Sequence, residues 1–230
     1  IVPVGGGGLI AGVALALKTL LPKIHIVGVQ AEAVPSMKVA LERGAPAQLP
    51  PATTIADGIA VRAVGALPFE LVRRYVDEIV TVNEREIANA VLLLLEIEKT
   101  VAEGAAAVPM AALVNKKISV AGKNVGLIVS GGNIDMNLIS RIIETGLVQD
   151  GRLSRFAIVI SDRPGSLARL AQRVADLGAN ILQITHSRGF GQMAIGETEV
   201  ELILETAGPE HIERIYSALT ADKFKIKNAG

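Results

Sequence analysis

The 230-residue chain is half apolar and has few aromatics, and its 23 Lys plus Arg balance 23 Asp plus Glu for a formal net charge of zero. That length supports one large core or two modest ones, and the neutral, aromatic-poor composition argues against a nucleic-acid partner. The absence of cysteine removes disulfides, thiolate metal sites and cysteine nucleophiles, which fits a reducing compartment and an expected cytoplasmic location, and no apolar run is long enough to span a membrane.

Ile1 to Val4 reads as a short buried strand with no basic segment ahead of it, so no signal peptide is expected. A chain that opens inside a strand is expected to be the C-terminal part of a longer protein. Gly5 to Gly8 follow, then a helix from Leu9 to Leu20 stopped by Pro22, then a second apolar strand from Ile24 to Gln30. Strand, helix, strand makes a βαβ unit with parallel strands, whose ligands bind at the carboxyl ends of the strands. A short helix is predicted from Pro35 to Glu42, a loop from Gly44 to Thr54, a helix from Phe69 to Tyr75 and a strand from Glu78 to Val82. Asn83 with Glu86 makes a capping signal for a helix ending near Glu98. An alanine-rich helix from Glu103 to Val114 and an apolar strand from Asn124 to Val129 complete this region.

From about Gly146 the pattern changes. Val148 to Leu153 reads as a linker between a first domain, 1–147, and a second, 154–230. The second has a strand from Phe156 to Ser161, a helix starting at Pro164 and ended by Gly178, and strands from Ile181 to His186 and from Glu197 to Leu204 joined by Gly189 to Gly196. A helix from Ile212 to Leu219 and a short strand from Phe224 to Ile226 close it. The order βαββαβ predicts a ferredoxin-like layout, an antiparallel sheet with both helices on one face, and the other face is expected to need cover by dimerisation or docking.

The four glycines carry the chemistry. Without Cβ atoms their backbone N–H groups can converge on one point, to which the following helix adds its unsatisfied N-terminal donors and positive dipole end. A plain turn needs one or two glycines, and each extra one costs about 0.5–1 kcal/mol in backbone entropy, so an anion site is the better reading. A nucleotide P-loop would need Lys followed by Ser or Thr where Leu9 and Ile10 stand. A dinucleotide fingerprint is met in its permissive form by Gly6, Gly8 and Ala11, but its ribose-binding acid would have to be Glu32, two residues late. A pyridoxal phosphate cup gains from a second glycine-flanked site, Ser130-Gly131-Gly132-Asn133.

Val2 to Gly12, Val27-Gly28-Val29-Gln30, Ile55-Ala56-Asp57-Gly58, Ala102-Glu103-Gly104-Ala105 and Ser130-Gly131-Gly132-Asn133, in this order and spacing, resemble the threonine dehydratases. These are fold type II pyridoxal phosphate enzymes related to serine dehydratase and serine racemase. The resemblance implies an α/β fold: the C-terminal part of a large catalytic domain with a parallel sheet and flanking helices. It implies conversion of L-threonine to 2-oxobutanoate and ammonia, with serine dehydration or racemisation as alternatives. Gly5, Gly6, Gly7, Gly8 and Leu9 would bind the cofactor phosphate, Ser130 would face the pyridine nitrogen, and Gly58 and Glu103 would line the active-site side. Read alone, Ser130 is a turn residue and Glu103 a first-turn acid. The family's Schiff-base lysine lies upstream of the glycine loop, and no lysine here sits in a matching motif, so the chain by itself is expected to be inactive.

Some relatives bind a cation next to the second strand through a carboxylate; the matching position here is Gln30, with Val34 and Ser36 nearby, so no metal is expected. His25, His186 and His211 lack ligand spacing and read as surface or strand residues. Asp162-Arg163-Pro164-Gly165-Ser166-Leu167 and Gly178-Ala179-Asn180-Ile181 resemble the two signature turns of an ACT domain. That resemblance implies an amino-acid effector at Asp162, Pro164, Gly165, Ser166, Leu167, Asn180 and Ile181, between paired domains of a homo-oligomer. The remaining readings are a ligand-sensing ACT module on a non-catalytic scaffold and a dinucleotide-binding oxidoreductase.

Overall fold

The computed structural model describes residues 1–187 and 194–229. Its contacts divide the chain into two units, Ile1–Ile142 and Ile143–Gly230. Among the described residues no helix is long and apolar enough to cross a membrane.

In the first unit, β1 (Val2–Pro3), β2 (Val27–Ala31) and β3 (Glu78–Val82) form a parallel sheet in that order. α1 (Gly8–Leu20) crosses from β1 to β2, and α2 (Ser36–Arg43) and α3 (Ala66–Tyr75) lie between β2 and β3. α4 (Glu84–Glu96) and α5 (Gly104–Val114) follow. All five residues of β2 are buried, and strand alternation sorts them. Val29 and Ala31 enter the core built with α4 and α5. A Cβ at Gly28, on the other face, would meet Ile10, Val4 and Ile79 within 2.8 Å, so only glycine lets α1 lie this close. α4 opens on the predicted capping box: the Glu86 N–H donates to Asn83 Oδ1 (3.0 Å) and the Asn83 N–H to Glu86 Oε2 (2.8 Å). α5 is buried nearly all round, from Gly104 to Ala112 with Met110 half-buried, as its alanines suggest.

The apolar run 124–129 is not a strand. It lies beside β1, with the Ile128 N–H donating to Ile1 O and the Ile1 ammonium to Gly126 O, and a two-residue β1 offers no longer ladder. A helix absent from the expectation, α6 (Met136–Gln149), runs to within a residue of Asp150 and contains Val148 and Gln149. Asp150 and Gly151 form the following turn, tied into the second unit: Thr206 Oγ1 and the Gly208 N–H both donate to Gly151 O (2.6 and 3.1 Å).

The second unit runs β4 (Leu153–Ser161), α7 (Ser166–Asp176), β5 (Asn180–Ser187), β6 (Glu197–Glu205), α8 (Pro209–Ala221), β7 (Lys225–Ala229). Its sheet order is β5-β6-β4-β7 with every pairing antiparallel. Phe156, Ile158, Val200, Leu202 and Leu204 pack with Leu170, Val174, Ile215 and Leu219 of the helices. The opposite face mixes charged side chains with apolar ones such as Val159 and Ile203. Glu197, Glu199 and Glu201 project there from β6 and pair with Lys225 (2.6 Å), Lys227 (2.6 Å) and Arg155. β5, expected to bury one face, is an edge strand with Leu182 and Ile184 exposed. The connection expected at Gly189 to Gly196 falls, over 189–193, outside the described residues.

His211, read as a surface or strand residue, is buried at the start of α8. Its Nδ1 accepts from the Ala207 N–H (3.0 Å), so Nε2 carries the hydrogen and donates to Leu177 O (2.9 Å).

Candidate active site

Gly5, Gly6, Gly7, Gly8 and Leu9 leave the carboxyl end of β1 and curl into α1. They line a cavity of about 210 Å³ together with Pro3, Gly58, Ile59, Glu103, Ala105 and Ser130. Every cofactor or active-site position expected from the sequence is therefore in one place. The glycines are not equivalent. Gly7 is the N-cap of α1 in the left-handed conformation, φ +93°, where a Cβ would lie 2.5 Å from Met37 Cε and 2.9 Å from Pro68 Cβ. A Cβ at Gly5 would lie 3.1 Å from Ile59 Cα, because the 3-10 turn Asp57–Ile59 packs beneath the loop. Gly8 faces open space.

The first-turn amides of α1 have no intrahelical acceptor. No side chain caps this helix and its first turn holds no acid, so no side chain of α1 itself occupies the donors or opposes the positive dipole end. The acid in the cavity wall, Glu103, is restrained: its Oε2 accepts from the Asn133 N–H (3.0 Å), and its own N–H donates to Gly131 O (3.2 Å). A Cβ at Gly131 would lie 2.7 Å from Glu103 Oε1, so that glycine makes room for the carboxylate and leaves Ser130 exposed to the cavity. Gly104 has a similar duty at α5, where a Cβ would lie 2.3 Å from Ile55 O. The Ile55 N–H donates to Glu84 Oε2 (2.8 Å), fixing the segment that carries Gly58.

These residues fit a phosphate ester of a flat ring. The cradle is backbone amide at a helix N-terminus, its glycines leave space that Cβ atoms would fill, and a hydroxyl stands in the same cavity. No lysine lines it. Among the described residues, no three His, Cys, Asp or Glu side chains gather as a metal site.

In the second unit, Asp162, Pro164, Gly165, Ser166 and Leu167 line a cavity of about 490 Å³ with Ile160, Ser161, Arg163, His186 and Thr198. Ser161 and Ser166 share a hydroxyl hydrogen bond (2.9 Å). Asn180 and Ile181 are not brought there. The pocket sits where Ser161 pairs with Glu197, whereas Asn180 pairs with Glu205 at the other end of β6, a strand length of about 26 Å away.

Sequence reasoning did not reveal that the Gln30 side chain, buried in β2, donates through Nε2 to Val4 O (3.3 Å), one residue before Gly5. A glutamine inside the buried run Val27–Ala31 was the available signal.

A family model described as pyridoxal-phosphate dependent enzyme matches residues 1–131. The L-threonine ammonia-lyase of Thermotoga maritima is 49% identical over all 230 residues, which span 57% of that protein. That of Geobacter sulfurreducens is 47% identical over 95% of this chain and 54% of its own length. Among solved structures, processed threonine deaminase isoform 2 of Solanum lycopersicum aligns at TM-score 0.58 with 34% identity, over 64% of this chain and 41% of that one. Maize serine racemase aligns at 0.56 with 33% identity, over 64% and 46%. The chain spans just over half the length of the curated relatives it matches. A family match across residues 1–131 and a relative 49% identical along the whole chain, meeting a glycine cradle of the right chemistry, place this chain in the pyridoxal-phosphate dependent enzyme family.

Proposed function

We propose that the chain is the C-terminal part of a threonine ammonia-lyase that converts L-threonine to 2-oxobutanoate and ammonia, with an ACT regulatory domain at 154–230. The observation that carries the reading is the shared cavity of Gly5 to Leu9 and Ser130, in a chain 49% identical along its length to an L-threonine ammonia-lyase. In this reading Gly5 to Leu9 hold the cofactor phosphate through backbone N–H groups. Ser130 presents its hydroxyl to the ring nitrogen, and Gly58 and Glu103 bound the ring's surroundings. Bound there, pyridoxal phosphate supplies an electron sink for the α-carbon of an amino acid. The Ser130 hydroxyl is neutral and does not hold the ring nitrogen protonated as a carboxylate would, which suits prompt departure of a β-hydroxyl. The lysine that the chemistry needs comes from outside these 230 residues.

The βαββαβ order with sheet order β5-β6-β4-β7 supports the ferredoxin-like ACT reading. The N–H groups at the start of α7, beside Gly165 at φ +87°, would take an effector carboxylate. Because Asn180 and Ile181 are a strand length from that pocket, they reach an effector only from a second copy, which favours a homo-oligomer.

Calorimetric titration with pyridoxal 5'-phosphate should give saturable binding that Gly8→Asp abolishes; equal binding by both proteins overturns the cradle. Titration with isoleucine, valine and threonine should give heat for at least one, lost in Gly165→Asp. In the full-length parent, 2-oxobutanoate release should exceed pyruvate release from serine, and the reverse rejects threonine as the substrate.

A further inference from the structure

Gln30 lies in the middle strand of the parallel sheet with no exposed surface, and both ends of its carboxamide are in use. Oε1 accepts from the Met37 N–H (3.0 Å) and the Lys38 N–H (2.9 Å), first-turn amides of α2, which has no side-chain cap at its N-cap residue. Those two donors fix the orientation of the amide, since the reversed group would set an NH2 against two N–H groups. Nε2 therefore faces Val4 O (3.3 Å) and Ser36 Oγ (3.4 Å).

Both ends of the amide lead to the glycine loop. Val4 is the last residue before Gly5. Met37, whose N–H the amide holds, is fully buried and brings its Cε to where a Cβ at Gly7 would be. One side chain thus fixes the chain entering the cradle and the wall beneath its third glycine. The partially positive NH2 stands between two oxygens.

We propose that Gln30 is the positioning residue of the four-glycine loop, clamping Val4 and Met37 through the two ends of its carboxamide. It acts through the loop and does not touch the bound anion. Only the affinity arm of the test rests on the pyridoxal phosphate reading.

Gln30→Met keeps the length and removes all four hydrogen bonds. Hydrogen exchange followed by mass spectrometry should show faster exchange in peptides covering residues 4–10 and 36–40, with 198–205 unchanged, and pyridoxal 5'-phosphate should bind about tenfold more weakly. Gln30→Glu sets a carboxylate oxygen against Val4 O and Ser36 Oγ. Its melting temperature should fall below that of the wild type at neutral pH, and the gap should narrow in acid as the carboxyl is protonated. Unchanged loop exchange in Gln30→Met, or a Gln30→Glu variant as stable as the wild type at neutral pH, would each overturn the proposal. If the exchange and melting results come out as expected but the wild type binds no pyridoxal 5'-phosphate, the cofactor reading fails and the clamp stands.

Discussion

Gly7 and Gly8 are neighbours under different constraints. Alanine at position 7 meets a left-handed backbone and the overlap with Met37 and Pro68, so Gly7→Ala should cost about 2–3 kcal/mol in urea unfolding. Gly8 is already helical and faces open space; Gly8→Ala should be neutral or stabilise by up to about 1 kcal/mol. A substitution series that treats the four as one motif would miss this change of sign. The glycine run is legible in the sequence because nothing else explains four of them together. The division of labour among them is not, because it is set by Met37, Ile59 and Pro68, which chain order places far away. His211 is a second residue whose duty is tertiary. His211→Leu leaves the Ala207 N–H and Leu177 O without their partner and should cost about 2 kcal/mol in the second unit, whereas an exposed histidine would cost nothing measurable.

Among the elements, the helices are most readable where local chemistry decides their ends, as at the Asn83 and Glu86 box or the left-handed Gly44 after α2. Strands depend on partners, and the run 124–129 has strand composition without a strand ladder. β5 has alternating composition yet little burial, because an edge strand is covered on one side only. α1, β2 and α3 are tied by Asp77, which accepts from Lys18 (2.8 and 2.9 Å) and the Ile26 N–H (2.7 Å), with His25 Nδ1 at 3.7 Å. Desolvation pushes this carboxyl up, but the Lys18 ammonium, the Ile26 amide and His25 together outweigh it and hold it below the ordinary aspartate value. A carboxyl lowered on folding stabilises the protein above its unfolded value, and that contribution is lost as pH falls through the folded one. The gap in melting temperature between wild type and Asp77→Asn should therefore be present at neutral pH and close below the ordinary aspartate range. A gap that persists in acid would mean that the tie is not ionic.

At the scale of the whole molecule, each unit has its own core. The second is closed on itself by the bonds from Thr206 and Gly208 to Gly151. Residues 143–230 expressed alone should unfold cooperatively and give the circular dichroism of a mixed sheet-and-helix fold, and a broad non-cooperative melt would contradict that independence. The change of rhythm after Gly146 is legible in the sequence, but the course of α6 is not. Its residues serve the first core as far as Ile142, and composition alone does not reveal where a continuous helix passes from one unit to the other.

The three ion pairs across the open face of the second sheet bear on strand register. Glu197, Glu199 and Glu201 alternate along β6 with Thr198, Val200 and Leu202, so a slip of one residue against β4 would drive three carboxylates into the core and three of its side chains out. Lys225, Lys227 and Arg155 reward only the correct alignment. The alternation of acidic and apolar side chains along β6 thus specifies a single alignment against β4 in the folded sheet.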